Sequence, residues 1–89
     1  MTRYFLHLRD GTEVLLDPDG SEFESEEALA AAMLRNVRDL MKGDVETGLL
    51  DLSFRLDAET ADGRVARSLP FAEAIEIKYP ERPARTASA

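Results

Sequence analysis

The sequence predicts an α+β fold of two layers, in which one antiparallel sheet carries a single long helix on one face. Three observations predict it. Asp-Gly pairs at residues 10–11 and 62–63 each lie between runs of β-forming residues, as in two β-hairpins. Between them, apolar residues recur at helical spacing over residues 29–45. The element order is therefore β-β-α-β-β, with four strands, or five if residues 72–79 add another.

The first hairpin has apolar residues on both of its predicted faces. Residues 3–9 form one strand, Asp10-Gly11 the two-residue turn and residues 12–16 the returning strand, with His7 opposite Val14. One face holds Tyr4, Leu6, Leu8 and Leu15, and the other holds Phe5, Val14 and Leu16 with His7. Because one helix covers only one face of a sheet, we expect a second cover. That cover is the C-terminal segment, a partner chain or a second copy.

The helix has start and stop signals at both ends. A turn at residues 17–20 precedes Ser25, an N-cap residue followed by two glutamates in the first helical turn. We expect the helix to run from about Glu26 to about Glu46 and to stop at Gly48, with Gly43 as a weaker earlier stop. Its apolar stripe consists of Leu29, Met33, Val37, Leu40, Met41 and Val45.

The second hairpin has a register that its turn predicts. Asp62-Gly63 suits a two-residue type I′ turn. Pairing outward from it sets Phe54 opposite Phe71, Leu56 opposite Leu69, and Ala58 opposite Arg67. Period-two alternation places the same upstream residues on the inward face. Pro70 marks an edge strand or its end, and residues 72–79 are either a short strand or an extended packing segment. We expect one domain over residues 1–79 and a disordered tail over residues 80–89.

The charge of the chain is concentrated in one region. The 89 residues carry a net charge of −7, yet residues 10–34 hold eight acids and no lysine or arginine. This acidic stretch is either a solvated rim or a docking surface for a basic partner, with Asp17, Asp19, Glu22 and Glu24 as its candidate residues. An acidic surface repels phosphate backbones, so nucleic acid is an unfavourable partner. The longest apolar run has seven residues, far below the ~20 of a membrane helix. We expect a cytoplasmic protein without membrane contact.

The sequence contains no pattern that indicates catalysis or a cofactor. His7 is the one histidine, with no serine or cysteine at catalytic spacing, and there is no cysteine to hold a metal. Asp17-x-Asp19-Gly20 with Glu26 imitates part of a calcium loop, but Leu15 then falls at the first ligand position. No phosphate-binding glycine loop is present. We expect no enzyme, no cofactor, no metal and no small-molecule ligand.

Four segments carry a resemblance to a known family. They are Arg3-Tyr4-Phe5-Leu6-His7-Leu8-Arg9-Asp10-Gly11, Asp17-x-x-Gly20, Leu52-Ser53-Phe54-Arg55 and the segment from Leu69-Pro70-Phe71 to Ile77. Over about residues 3–77 the chain resembles small bacterial proteins classed as a domain of unknown function, which begin with an "RYFFHLRDG"-like strand. Leu6 stands where an aromatic residue is common. The resemblance implies a compact cytoplasmic α+β domain and no activity.

These observations favour a non-catalytic protein-interaction or regulatory module that forms a homodimer. The expected interface is the second face of the first hairpin, formed by Phe5, His7, Val14 and Leu16. An alternative is a nucleic-acid-associated regulator resembling small antitoxin-like proteins, based on Arg55, Arg64, Arg82 and Arg85. A third hypothesis, an enzyme that uses His7, requires a pocket around this side chain with a second polar group.

Overall fold

Five strands form one antiparallel sheet, and a long helix lies on one face of it. The structure is a computed structural model that describes residues 1–11 and 14–81, without the side chain of Val14. The elements are β1 (Thr2–Arg9), β2 (Val14–Leu15), β3 (Ser21–Phe23), α1 (Glu26–Thr47), β4 (Arg55–Glu59), β5 (Val65–Pro70) and α2 (Phe71–Ala74). The strand order is β2-β1-β4-β5, and β3 also pairs with β1. The predicted α+β class, two layers and single long helix are confirmed.

The fifth strand lies before the helix and not at residues 72–79. There, Ala72 to Ala74 continue α2, Ile75 is extended (φ −138°, ψ 161°) and packs against the core, and residues 76–79 are neither helix nor strand. The guanidinium Nε of Arg38 on α1 donates to the Ala74 carbonyl at 2.9 Å, which fixes α2 against α1. The predicted disordered tail, residues 80–89, lies outside the described residues except for Pro80 and Glu81.

Helix α1 has the predicted ends. Ser25 Oγ accepts a hydrogen bond from the Ala28 N–H at 3.0 Å, which is an N-cap interaction. Gly48 has φ 90° and its N–H bonds the carbonyls of Asp44 and Val45, so the helix ends in a left-handed glycine cap. The helix continues through Gly43 because these caps, and the packing of the inward face, outweigh the low helix propensity of one glycine.

The core lies between α1 and the sheet. Its buried residues are Tyr4, Leu29, Met33, Val37, Met41, Leu56, Ala58, Phe71 and Ala74. Two members of the predicted helical stripe, Leu40 and Val45, are exposed instead. Leu40 is rotated by about 100° from Met41 around the helix axis. Val45 lies near the end of α1, which is about 33 Å long. Strands β1 and β4 have eight and five residues and are shorter, so the last turn of the helix extends past the sheet.

The second hairpin has the predicted register but not the predicted turn. The Gly63 N–H bonds the Thr60 carbonyl and the Thr60 N–H bonds the Arg64 carbonyl, so three residues form the loop. Gly63 has φ 87°, as in a type I turn followed by a bulge. A register shift between Ala58 and Glu59 compensates for the additional loop residue. The pairs Leu56–Leu69 and Ala58–Arg67 therefore form as predicted, and the Phe71 N–H donates to the Phe54 carbonyl at 2.9 Å.

The first hairpin is shifted by two residues from its predicted register. Arg9 lies opposite Val14, and Leu8 lies opposite Leu15. Residues 10–13 therefore connect the two strands, and residues 12 and 13 lie outside the described residues. A shift by an even number keeps each residue of β1 on its predicted face. Tyr4, Leu6 and Leu8 accordingly face α1, and His7 lies on the other face.

Candidate interaction surface: a leucine cleft and a charged face

A cleft of about 330 Å³ opens beside α1, above strands β1 and β2. Its lining residues are Leu6, Leu8, Leu15, Leu16, Asp17, Ser21, Asn36, Leu40 and Leu56. We name it the leucine cleft, because six of these residues are leucines. Leu6 and Leu8 are half-buried, whereas Leu15 and Leu16 are 69% and 59% exposed. An apolar concave surface with a few polar groups around it is typical of binding sites.

Asp17 holds the loop that forms one wall of the leucine cleft. Its Oδ2 accepts from the Leu6 N–H at 3.2 Å, and its Oδ1 accepts from the N–H groups of Asp19 (3.2 Å) and Gly20 (3.0 Å). The carboxylate thus takes the place of a neighbouring strand for Leu6, between the positions where β2 and β3 pair with β1. The Asp17 N–H donates to His7 Nδ1 at 3.1 Å, which joins the loop to the other face of β1.

Gly20 is required where this loop returns to the sheet. It has φ 72°, a left-handed conformation that side chains rarely adopt. A Cβ atom there would lie 2.9 Å from Cε2 of Phe5 and 3.0 Å from the Tyr4 carbonyl oxygen. The loop therefore packs directly on the Phe5 ring.

Charged side chains occupy the face of the sheet opposite α1. We name His7, Arg9, Asp57 and Glu59 the charged cluster. Arg9 Nη1 lies 2.7 Å from Asp57 Oδ2 and 2.7 Å from Glu59 Oε2. His7 Nε2 lies 3.6 Å from Glu59 Oε1. The cluster brings together strands β1 and β4, which pair in register at His7–Asp57.

Asp57 is the most buried member of the charged cluster, with 2% of its surface exposed. Besides Arg9, it receives a hydrogen bond from Ser68 Oγ at 2.6 Å and one from Arg55 Nε at 3.2 Å. Burial alone raises the pKa of Asp57, but the bonds from Ser68, Arg9 and Arg55 outweigh burial and hold this pKa below its ordinary value. The hydrogen bonds to Asp57 and Glu59 raise the pKa of Arg9.

The four residues of the expected apolar interface have different surroundings from one another. Phe5 packs on Gly20, His7 belongs to the charged cluster, and Leu16 lines the leucine cleft; the side chain of Val14 lies outside the described residues. We expected the C-terminal segment, a partner chain or a second copy to cover this face. The loop at Gly20 packs on Phe5, and charged side chains of β4 lie beside His7 in the same sheet. A dimer interface through these four residues stays a prediction.

His7 lies apart from the leucine cleft. Its side chain is 12% exposed, its Nδ1 accepts from Asp17 and its Nε2 faces Glu59. The cleft is lined by Leu6 and Leu8, which flank His7 in sequence and therefore point to the opposite face. The pocket required by the enzyme hypothesis is thus not the leucine cleft.

The candidate acidic residues have unequal environments. The Asp17 carboxylate is directed to backbone N–H groups; burial raises its pKa, but the bonds from Gly20, Leu6 and Asp19 have the larger summed effect and lower it. Glu22 pairs with Arg3 at 3.0 Å, and the same guanidinium donates to the Asp19 carbonyl at 2.9 Å. Glu24 is exposed. A docking role for these residues stays a prediction.

Of the four arginines considered for nucleic-acid binding, two lie within the described residues and two lie outside them. Arg55 is bound to Asp57 on its own strand, and Arg64 is exposed beside the second turn. Arg82 and Arg85 lie outside the described residues. In residues 1–11 and 14–81, no helix combines the length and the apolar character that crossing a membrane requires.

Sequence reasoning missed both the leucine cleft and the burial of Asp57. A family model for a domain of unknown function matches residues 3–72. The chain belongs to the DUF6894 family. This confirms the resemblance to a domain-of-unknown-function family, over a range slightly shorter than expected. No curated protein and no solved structure has a significant match to this chain. The DUF6894 match includes every leucine of the cleft and the whole charged cluster, and it ends at the second residue of α2.

Acid is expected to destabilise this DUF6894 domain through two aspartates. The pKa values of Asp57 and Asp17 are lowered in the folded state, below the value of about 3.9 in an unfolded chain. Their ionised forms therefore stabilise the fold above about pH 4, and this contribution is lost as the pH falls through the folded-state pKa values. Urea unfolding at a series of pH values should show a decreasing midpoint below about pH 4. The Asp57→Asn variant should have a shallower slope; an unchanged slope contradicts the assignment to Asp57.

Proposed function

We propose that this DUF6894 domain is a non-catalytic, cytoplasmic protein-interaction module that forms a homodimer through the leucine cleft. One observation carries the proposal: Leu15 and Leu16 are mostly exposed at the opening of a cleft whose floor is also made of leucines. Burial of a leucine side chain contributes roughly 1.5–3 kcal/mol. A partner that covers this cleft therefore gains binding free energy from residues that the single chain leaves in contact with water.

The surroundings of the polar side chains in the described residues favour a binding role over a catalytic role. Both nitrogens of His7 face groups of its own chain. The Asp57 carboxylate receives bonds from Arg9, Arg55 and Ser68. General acid–base catalysis requires a titratable group within reach of a substrate, and these groups are committed to the fold. Because Arg55 pairs with Asp57, it also contributes less to a phosphate-binding surface.

The small size of the domain favours a second copy as the partner. A domain of about this size buries roughly 60–65% of its unfolded surface, so its stability is marginal. Self-association stabilises the folded state by mass action. A homodimer covers the cleft in both subunits without a further protein.

Sedimentation equilibrium tests the proposal with a pair of matched double variants. We expect the wild type to dimerise and Leu15→Gln/Leu16→Gln to raise the dissociation constant about 100-fold, because the homodimer loses both of its cleft contacts, one in each subunit, at ~1.4 kcal/mol each. The control Val45→Gln/Leu49→Gln alters two residues that are 62% and 70% exposed and do not line the cleft. It should dimerise as the wild type does.

Two outcomes contradict the proposal. A wild type that stays monomeric up to millimolar concentration removes the homodimer. Equal weakening by the cleft variant and by the control removes the leucine cleft as its interface. Circular dichroism of each variant establishes that the fold is retained.

A further inference from the structure

The segment after α2 presents apolar residues to solvent in an alternating pattern. Ile75 packs against the core, whereas Ile77 is 43% and Tyr79 81% exposed, with Glu76 and Lys78 between them. Ile75 is already extended, and a residue before proline, as Tyr79 is, favours extended backbone. In such a backbone, side chains two residues apart lie on one side, about 6.8 Å from each other. Residues 77–80 therefore offer two large apolar side chains to a concave surface.

The leucine cleft and this segment have opposite charge. Leu15, Leu16, Asp17 and Ser21 of the cleft belong to the stretch 10–34, which has eight acids and no base. Residues 77–89 carry three bases and one acid. Packing two clefts against each other would bring two acidic stretches together, which like-charge repulsion opposes. A basic, apolar segment fits the cleft on both counts.

The geometry of α1 separates the segment from the cleft of its own chain. Arg38 binds Ala74 at the end of α2, on one flank of α1. Asn36 and Leu40 line the cleft, and each lies two residues from Arg38, or about 200° around the helix axis. The segment therefore starts on the flank of α1 that faces away from its own cleft.

We propose that residues 77–80 of a second copy occupy the leucine cleft, and that the two chains exchange these segments reciprocally. The proposal rests on the homodimer of the proposed function and names the contact that forms it. Ile77 and Tyr79 fill the cleft, while Lys78 points to the other side of the extended backbone and attracts the acidic stretch at longer range. Reciprocal exchange gives a closed twofold dimer. Two such contacts are small beside the roughly 1,200–2,000 Å² of stable interfaces, so the dimer is expected to be weak and reversible.

Complementation between two defective chains tests the exchange. The segment variant is Ile77→Ser/Tyr79→Ser, its matched control is Ile77→Val/Tyr79→Phe, and the cleft variant is Leu15→Gln/Leu16→Gln. In the exchanged dimer, each defective chain alone should bind itself about 100-fold more weakly than the wild type. An equimolar mixture keeps one intact contact, because the segment of the cleft variant meets the cleft of the segment variant. It should form a heterodimer about tenfold weaker than the wild-type dimer, and the control should dimerise normally.

Salt provides an independent readout. Raising NaCl from about 0.05 M to about 0.5 M screens charges at the contact. The wild-type dissociation constant should increase for an exchanged dimer and decrease for a dimer that joins two acidic clefts.

The outcomes separate this proposal from the proposed function. If the segment variant dimerises as well as the wild type while the cleft variant does not, the cleft forms the dimer with another occupant, and the exchange is overturned alone. If both variants are monomeric but the mixture does not associate, the exchange is also overturned. A monomeric wild type overturns the homodimer and the exchange together.

Discussion

Replacing Asp57 with alanine should lower the free energy of unfolding by about 3 kcal/mol, because the change removes a buried carboxylate that accepts three hydrogen bonds and deprives the half-buried Arg9 of one of its two carboxylate partners. Arg9 and Ser68 both bond this carboxylate at 2.7 Å or less. Losing one member of a buried ion pair typically costs 3–5 kcal/mol. Glu59, which also lies 2.7 Å from Arg9, keeps the guanidinium partly paired, so the lower end of that range applies.

Chemical unfolding of three variants at a fixed protein concentration measures this effect. Asp39→Ala is the matched control, since Asp39 is exposed on α1, and it should change stability by less than about 0.5 kcal/mol. Asp57→Asn retains the shape and one acceptor oxygen, so its loss should fall between the other two. Equal losses in Asp57→Ala and Asp39→Ala would show that the charged cluster does not stabilise the fold.

The helix was predictable because its signals are local. Ser25 and Gly48 act on N–H and carbonyl groups within four residues, so sequence alone contains the whole interaction. Met33, Val37 and Met41 follow one another at intervals of four residues. This interval defines the inward face of the helix in the same local way. Leu40 was assigned wrongly to the core because an apolar side chain beside that face does not reveal whether another element covers it.

The second hairpin shows that a correct register can follow from an incorrect turn. The Asp62-Gly63 pair located the loop, but the sequence does not distinguish a two-residue turn from a three-residue turn with a bulge. Both place Leu56 opposite Leu69. Register was predictable because the inward alternation of β4 restricts it independently of the turn.

The charged cluster was not predictable from local pattern. Alternation identified Asp57 as an outward residue of β4, and its side chain does lie on the face opposite the helix. Its burial depends on Arg9 and Ser68, which are 48 and 11 residues away in sequence. The sequence shows that β1 is apolar on both faces. The charged side chains that β4 places beside it follow only from the pairing of β1 with β4, which the sequence does not reveal.

The leucine cleft required knowledge of the loop after β2. Leu15 and Leu16 were assigned to opposite faces of a strand, yet both line one cleft, because β2 ends at Leu15 and the chain then turns toward Asp17. The sequence predicts Asp17 as part of a turn and as a candidate residue of an acidic docking surface. Its actual partners are backbone N–H groups, which no side-chain pattern records.

Replacing Asp17 with alanine should cost about 2–3 kcal/mol of unfolding free energy and open the leucine cleft. Three hydrogen bonds are removed at once, each contributing roughly 1 kcal/mol. The Leu6 N–H then has no strand partner in the middle of β1. Amide hydrogen exchange of Leu6 should accelerate more than that of Leu8, which pairs with Leu15 of β2.

Two further variants distinguish the effect of the Asp17 carboxylate on Leu6 from its effect on the turn. Asp19→Ala changes an exposed neighbour whose backbone carbonyl, rather than its side chain, bonds Arg3, so stability should change by less than about 0.5 kcal/mol. Asp17→Asn keeps one acceptor oxygen for the Gly20 N–H but presents an N–H₂ group that cannot accept from Leu6. It should therefore preserve the turn and still accelerate exchange at Leu6. If Asp17→Asn protects Leu6 as fully as the wild type does, the carboxylate does not act as the missing strand, and the wall of the leucine cleft is held by the packing of Gly20 on Phe5.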